Sequence, residues 1–385
     1  MVQAVLIVTF VLGVFNAYVA LSLRQKLAGF FWASGTLEGL FIAFFLLQLL
    51  APWLDWSRTP IAHSWSGPSY DFLIQSSYLA LGVLSCLLIF CLCVDVLWLV
   101  VLRWIVPTGW SHAVCAALAF LVLFATGASL ADGLRFAGQT KINRVRIHLK
   151  TLAPAFDGFT IVQISDLHIG PHLKHAFAQQ VVNQVQSLHP DVIVMTGDLA
   201  DGSAADLAKD VAPLAELTAP FGRYYVTGNH EYYWGSDEWI AQASKLGFRP
   251  LLNESVTLER GPSALVIAGV PDLTAYRIDG AVRPNPRLAI KDAPVLATKI
   301  LLSHQPKLYQ DAIDAGYDLQ LSGHTHAGQY FPFTKIIQWI EPHTKGLYKE
   351  GSLSLYVNKG AGFWGPPLRS GRPGEITLIT LIRPD

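Results

Sequence analysis

Four apolar stretches ahead of residue 132 constrain this chain more than any other feature. Val2 to Leu23, Phe30 to Leu54, Phe72 to Val101 and Ala113 to Leu130 each approach or exceed the roughly 20 helical residues needed to cross about 30 Å of hydrocarbon. Backbone N–H and C=O groups cannot go unpaired in lipid, so such stretches span as helices. Charged residues are 15% of the 385, against about 25% in soluble proteins. Before residue 132 they are scarce, and beyond it the composition is ordinary. The expectation is a four-span all-α transmembrane module over 1–132, a linker over 133–152 and a soluble domain over 153–385. No Lys or Arg precedes Arg24, so the first stretch does not read as a cleaved signal peptide.

Two acids, Glu38 and Asp95, fall inside the apolar stretches. A carboxylate there is costly and points to transport or signalling unless it lies at a turn or helix end. Trp53, Trp56, Trp98, Trp104 and Trp110 flank the stretches as interfacial anchors do. With four spans both termini share a side. That side carries Arg58, Arg135, Lys141, Arg144, Arg146 and Lys150, and the other only Arg24, Lys26 and Arg103, which predicts a cytoplasmic soluble domain. All four cysteines (Cys86, Cys91, Cys93 and Cys115) lie in or beside the spans. The soluble domain therefore has neither disulfides nor thiolate zinc sites.

From Leu149 onward short apolar strands alternate with helical stretches. Strands are predicted at 159–164, 191–195, 223–226, 264–268, 300–302, 318–321, 353–357 and 376–381. Helices are predicted at 174–188, 204–217 and 238–246, with a surface loop at 283–294. This alternation argues an α/β domain with parallel pairing.

Chemistry collects where the predicted strands stop. The ends read Asp166-Leu167-His168, Gly197-Asp198, Gly228-Asn229-His230-Glu231, Ser303-His304 and Gly323-His324-Thr325-His326. Any one is an ordinary turn sequence. Five together, at the carboxyl ends where open α/β sheets bind ligands, predict a metal site. The donors are all nitrogen and oxygen, which suits Mn, Fe or Zn. They are too many for one ion, and two ions sharing a carboxylate can clamp a phosphoryl group and generate hydroxide near neutral pH.

These motifs resemble the calcineurin-like metallophosphoesterase superfamily over roughly residues 155–383. The run Gly323 to Gln329 narrows the likeness. So do Tyr356 to Gly362, Pro366-Pro367-Leu368-Arg369 and Pro373-Gly374-Glu375-Ile376. Together they resemble the membrane-associated branch typified by the bacterial YaeI and YkuE phosphoesterases, with Ala327 where that branch usually has Gly. The resemblance implies two packed mixed sheets flanked by helices. It implies that Asp166, His168 and His326 bind one divalent metal, that Asn229, His304 and His324 bind a second, and that Asp198 bridges them. Manganese comes first, with Fe, Zn or Mg as alternatives. His230 would not ligate metal but would stand beside the leaving oxygen, making His230 and Asp198 the catalytic pair.

The function expected is a membrane-anchored dinuclear phosphoesterase, with its catalytic domain on the cytoplasmic face of a bacterial inner membrane. Its partners would be the lipid bilayer and a phosphoester or lipid-linked pyrophosphate. UDP-2,3-diacylglucosamine, which some enzymes of the superfamily hydrolyse, is one such substrate. The alternatives are a broad-specificity phosphodiesterase or phosphatase, and a transporter or sensor whose metal-binding domain is regulatory. Balanced charge, with no long Lys/Arg cluster, argues against nucleic acid. Nothing in the sequence sets an oligomeric state. His172 and His175 are read as loop histidines near the mouth, and Arg369 as a phosphate ligand or an ion-pair partner. The aromatic run Tyr330 to Ile340 is either core or an apolar lip that meets lipid.

Overall fold

The computed structural model describes residues 2–27, 34–56 and 67–384. They form two compact units. The first holds Met1–Phe136 with Tyr330–Pro332 and Gly365–Gly371, and the second holds the remainder.

In the first unit the helices Val2–Leu27, Ser34–Leu50, Pro68–Leu97 and Ser111–Phe136 pack together. Among the described residues three segments, Val5–Leu27, Pro68–Ile105 and Thr108–Phe136, are long and apolar enough to cross a bilayer. Between the first two of them lies the shorter apolar segment Glu38–Leu54. Residues 30–33 of the predicted second span lie outside the described residues, as does Arg58. Large side chains face outward, Phe10 at 73% and Phe124 at 75% exposure. Asn16, Ser22, Lys26 and Gln48 turn inward, and polar groups pair across helices. Asn16 donates to Gln48 at 2.8 Å. Asp95 accepts from Tyr18 at 2.6 Å and Ser22 at 2.8 Å, and it pairs with Lys26. Glu38 pairs with Arg24 at 3.1 Å. Each acid singled out in the sequence thus has a cation from the first helix.

Residues 133–152, expected as a linker, hold the last turn of the helix Ser111–Phe136 and a strand, β1 (Thr140–His148). Strand β1 pairs in parallel with β12 (Gly374–Ile382) along its whole length. The other strands are β2 (Thr160–Ile164), β3 (Val192–Thr196), β4 (Arg223–Val226), β5 (Arg249–Pro250), β6 (Glu254–Arg260), β7 (Ser263–Gly269), β8 (Thr298–Leu302), β9 (Leu319–Ser322), β10 (Gly346–Glu350) and β11 (Leu353–Val357). They build two six-stranded mixed sheets, ordered β1-β12-β2-β3-β4-β5 and β10-β11-β9-β8-β7-β6.

Strand β3 shows why the inner strands read as unbroken apolar runs. Val192 and Val194 join Ile267, Ile300, Leu302 and Leu321 in one buried cluster. Ile193 and Met195, on the opposite face, join Val181, Val185, Leu207 and Trp239 from the flanking helices. Side chains alternate across a strand, so a strand covered on both faces is apolar at successive positions.

Three sequence readings change. The surface loop predicted over 283–294 holds a short helix, Pro286–Ala289, with Pro286 and Ala289 buried. The helix predicted over 204–217 runs only Ala204–Val211 and then tightens into a 3₁₀ turn, Ala212–Glu216. Pro213 lacks the N–H that a continuing α-helix needs. The core alternative for the aromatic run fails over its second half, because the helix Phe333–Ile340 has no buried residue. Within the first unit, the Tyr330 hydroxyl instead meets Ser85 at 3.1 Å, and the Phe331 ring stacks on Phe90.

Candidate metal centre

Strands β2, β3 and β4 are parallel neighbours in one sheet, and β8 and β9 in the other. Their carboxyl ends therefore open together, and each is followed at once by donor residues. The backbone there is unusual. Asp166, His168, Asp198, His324 and His326 have φ of 53°, 48°, 53°, 74° and 48°. L-residues rarely enter this left-handed region, and departures from the ordinary wells concentrate at functional sites. Gly197 lets two of these turns close on each other. A Cβ there would stand 2.5 Å from the Gly228 nitrogen and 2.8 Å from His304 Nδ1.

The structure brings together all eight side chains singled out by the sequence. Asp166, His168 and His326 offer donor atoms within 4.8 Å of one another, as do Asp198, His304 and His324. In the first group His326 Nε2 lies 3.3 Å from Asp166 Oδ1 and 3.0 Å from His168 Nε2. In the second, His304 Nε2 lies 3.2 Å from Asp198 Oδ2, 3.2 Å from His324 Nδ1 and 3.1 Å from Asn229 Oδ1. Asp198 also stands between the groups, with Oδ2 3.7 Å from His168 Nε2.

Proton positions test whether cations fit. His304 Nδ1 lies 2.7 Å from the Thr196 carbonyl, which can only accept, so Nδ1 carries hydrogen. In neutral His304 the Nε2 lone pair then points at a carboxylate oxygen and an amide oxygen. His168 repeats the logic, since Nδ1 donates to Asp201 at 3.0 Å and leaves Nε2 facing His326 Nε2. In those neutral forms the lone pairs converge and call for positive charge, which protons on the imidazoles or divalent cations can each supply with this donor set.

The electrostatics agree. Burial alone would raise Asp166 and Asp198. His326 instead holds Asp166 below the usual carboxylate range, and His304 and His230 hold Asp198 well below it. Burial would lower His304, but Asp198 pushes it well above the imidazole range. His324 goes the other way, pushed down to about 3 by burial and the neighbouring His304. It is thus an unprotonated donor at neutral pH.

His230 lies one residue past Asn229, at the start of the helix Asn229–Trp234. Its backbone N–H donates to Asp198 Oδ1 at 2.9 Å, and its Nδ1 meets Asp201 Oδ1 at 2.6 Å. Burial lowers the imidazole, but Asp198 and Asp201 outweigh it and push His230 up to about 9. Asp201 is the residue that the sequence reading missed. It accepts from both His168 and His230 through one oxygen, and those two rings hold it below the carboxylate range against the burial that would raise it. Its signal was an acid three positions after Asp198. Glu231, quoted earlier only as part of a motif, accepts from the backbone of Asp198 at 3.1 Å and Leu199 at 2.7 Å. It thereby ties the β3 and β4 turns together. Burial and Asp198 push Glu231 up to about 7.

The other residues singled out have different partners. His172 is half-buried, edge-on to Phe363 at 5.4 Å, and burial pushes it down to about 4. His175 is exposed, with its backbone N–H on Asp210. Arg369 is buried in the first unit, where its N–H donates to the Gly133 carbonyl at 2.9 Å.

Known proteins give this geometry a family. The profile of the calcineurin-like phosphoesterases matches residues 159–328. A bovine (Bos taurus) "transmembrane protein with metallophosphoesterase domain" is 34% identical over 68% of this chain, which spans 62% of that protein's length. An uncharacterized metallophosphoesterase of Aquifex aeolicus is 36% identical over 57% of this chain and 84% of its own. The uncharacterized metallophosphoesterase YkuE of Bacillus subtilis is 35% identical over 59% of this chain and 80% of its own. The chain belongs to the calcineurin-like metallophosphoesterase family.

Proposed function

We propose that the chain is a membrane-anchored, dinuclear-metal phosphoesterase that hydrolyses phosphodiester or pyrophosphate bonds. The observation that carries this reading is the donor groups Asp166/His168/His326 and Asp198/His304/His324, linked by a third, His168/Asp198/His230. Asp166, His168 and His326 would hold one divalent cation, and Asn229, His304 and His324 the other, with Asp198 shared. Manganese suits the mixed oxygen and imidazole donors, as do Fe, Zn and Mg. Bound there, the cations supply positive charge to the phosphoryl oxygens and lower the pKa of water.

The rest is the work of the chain's own side chains. Asp201 accepts the Nδ1 proton of His230 and so fixes the ring, leaving Nε2 free to hand a proton to the departing oxygen. His230 holds that proton because Asp198 and Asp201 raise its pKa, and nearby cations would bring the value back toward neutrality. Asp201 also orients His168 through Nδ1, as outer partners of ligating histidines do.

The substrate class favoured is a lipid-linked phosphoester or pyrophosphate, such as UDP-2,3-diacylglucosamine. It is supported by the spans in the same chain as the site. A cytoplasmic catalytic domain in a bacterial inner membrane is supported by Arg135, Lys141, Arg144, Arg146 and Lys150. All lie within about 15–20 residues of the last span, where basic residues set orientation during insertion. The test is turnover by the detergent-purified, manganese-loaded full chain of bis-(p-nitrophenyl) phosphate and of a long-chain lipid pyrophosphate. Hydrolysis of neither would overturn the assignment. Hydrolysis of the soluble diester alone would favour a broad phosphodiesterase.

A further inference from the structure

The helix Phe333–Ile340 begins seven residues after His326. Phe333, Ile336, Ile337 and Ile340 follow the i, i+3, i+4, i+7 spacing of one apolar stripe, and Thr334, Lys335 and Gln338 lie on the opposite side. A helix of a water-soluble domain turns such a stripe inward, but none of these residues is buried. Phe333 is 41% exposed, Ile340 67% and Trp339, at the margin of the stripe next to Lys335, 86%. The chain enters the helix from Tyr330–Pro332, which belongs to the unit of apolar helices. There Tyr330 meets Ser85, and Phe331 stacks on Phe90, both on the spanning segment Pro68–Ile105. One peptide bond therefore joins Phe333 to residues held against a span.

We propose that Phe333–Ile340 is an interfacial helix whose apolar stripe beds into the lipid headgroup and acyl boundary. It makes the surface beside the metal motif a receiver of amphiphilic phosphoesters from the bilayer. An apolar face with a basic flank and a Trp at its edge suits that boundary, which takes such helices in about 5–10 Å deep. The occupant is lipid because the segment leading into the helix is already packed on a helix built for lipid. The substrate part rests on the phosphoesterase reading above. The placement of the helix does not.

The experiment places the full chain, one copy per disc, in phospholipid nanodiscs with acyl chains brominated near the headgroup, and subtracts the Trp339→Phe emission from that of the wild type. The expected result is that the Trp339 signal falls at least twofold relative to unbrominated discs. An unquenched signal overturns the placement, and so does a Trp339 shielded from aqueous quencher only when two copies share a disc. The second arm uses Trp339→Ser/Ile340→Ser. KM for a long-chain phosphodiester in bilayers should rise about tenfold, while kcat/KM for bis-(p-nitrophenyl) phosphate stays unchanged. Equal loss on both substrates would mean that the helix only supports the site, and would overturn the delivery role. Were the wild type to cleave no phosphoester while Trp339 is quenched, the catalytic reading would fall and the interfacial helix would stand.

Discussion

The helical unit and the two-sheet unit handle polarity in opposite ways. In the first, large apolar side chains such as Phe10 and Phe124 face out, and the polar ones are matched between helices. In the second, Tyr225 and Trp239 are fully buried, and the polar groups gather at five strand ends, aimed at one another. A polar side chain inside the helical unit satisfies a neighbour. At the strand ends its partners are themselves potential metal ligands, so the group can exchange a neighbour for a cation.

Four changes probe that contrast. The largest effect is expected from Asp198→Ala, which removes the carboxylate shared by both donor groups. Hydrolysis should fall by more than about a hundredfold, the upper range for losing a mere outer partner of a ligand. Chelation should do the same to the wild type reversibly, and metal content by plasma emission should drop in step. A fully active, metal-loaded variant would break the contrast at its strongest point.

Asp201→Asn comes next, with a loss of about 10–100-fold. The sign of its pH effect is set by electrostatics. Asp201 is one of three anions, with Asp198 and Glu231, that raise His230 against burial, so removing its charge lets His230 release its proton at lower pH. The alkaline limb of the kcat profile, measured at saturating metal, should move downward. An unmoved limb would make Asp201 a prop for His168 alone.

Lys26→Met addresses the helical unit. It strands the Asp95 carboxylate among the helices and should cost about 3 kcal/mol of stability, read from thermal unfolding in detergent. Lys26→Met/Asp95→Leu should recover most of that loss. If the double variant is as weak as the single, the pair does more than neutralise itself. The smallest effect is expected from Arg24→Met. Its pair with Glu38 is more than half exposed at both ends, and such pairs contribute about 0.5 kcal/mol or less.

The divide between what could and could not be read from sequence has a physical reason. All eight inner strands (β2, β3, β4, β7, β8, β9, β11 and β12) showed as apolar runs. The four missed, β1, β5, β6 and β10, are the sheet edges. Edge strands are half-covered and carry charge, as Lys141, Arg144 and Arg146 do on β1, and that guards an open edge against stray pairing. The donor residues were legible because His, Asp and Asn just past a strand are visible as letters. Asp201 was not, since its role comes from where its turn carries it. Nor could letters show the left-handed backbone at Asp166, His168, Asp198, His324 and His326, because none of them is glycine.

The pairing of β1 with β12 has a consequence for biogenesis. Strand β1 begins four residues after the last apolar helix ends, yet its ladder partner among the described residues starts at Gly374. A ribosome delivers the first more than two hundred residues before the second. Throughout that interval a basic, unzipped ribbon follows directly on the last apolar helix. Synthesis must nearly finish before this seam can close, which ties maturation of the two-sheet unit to the slow, long-range end of folding.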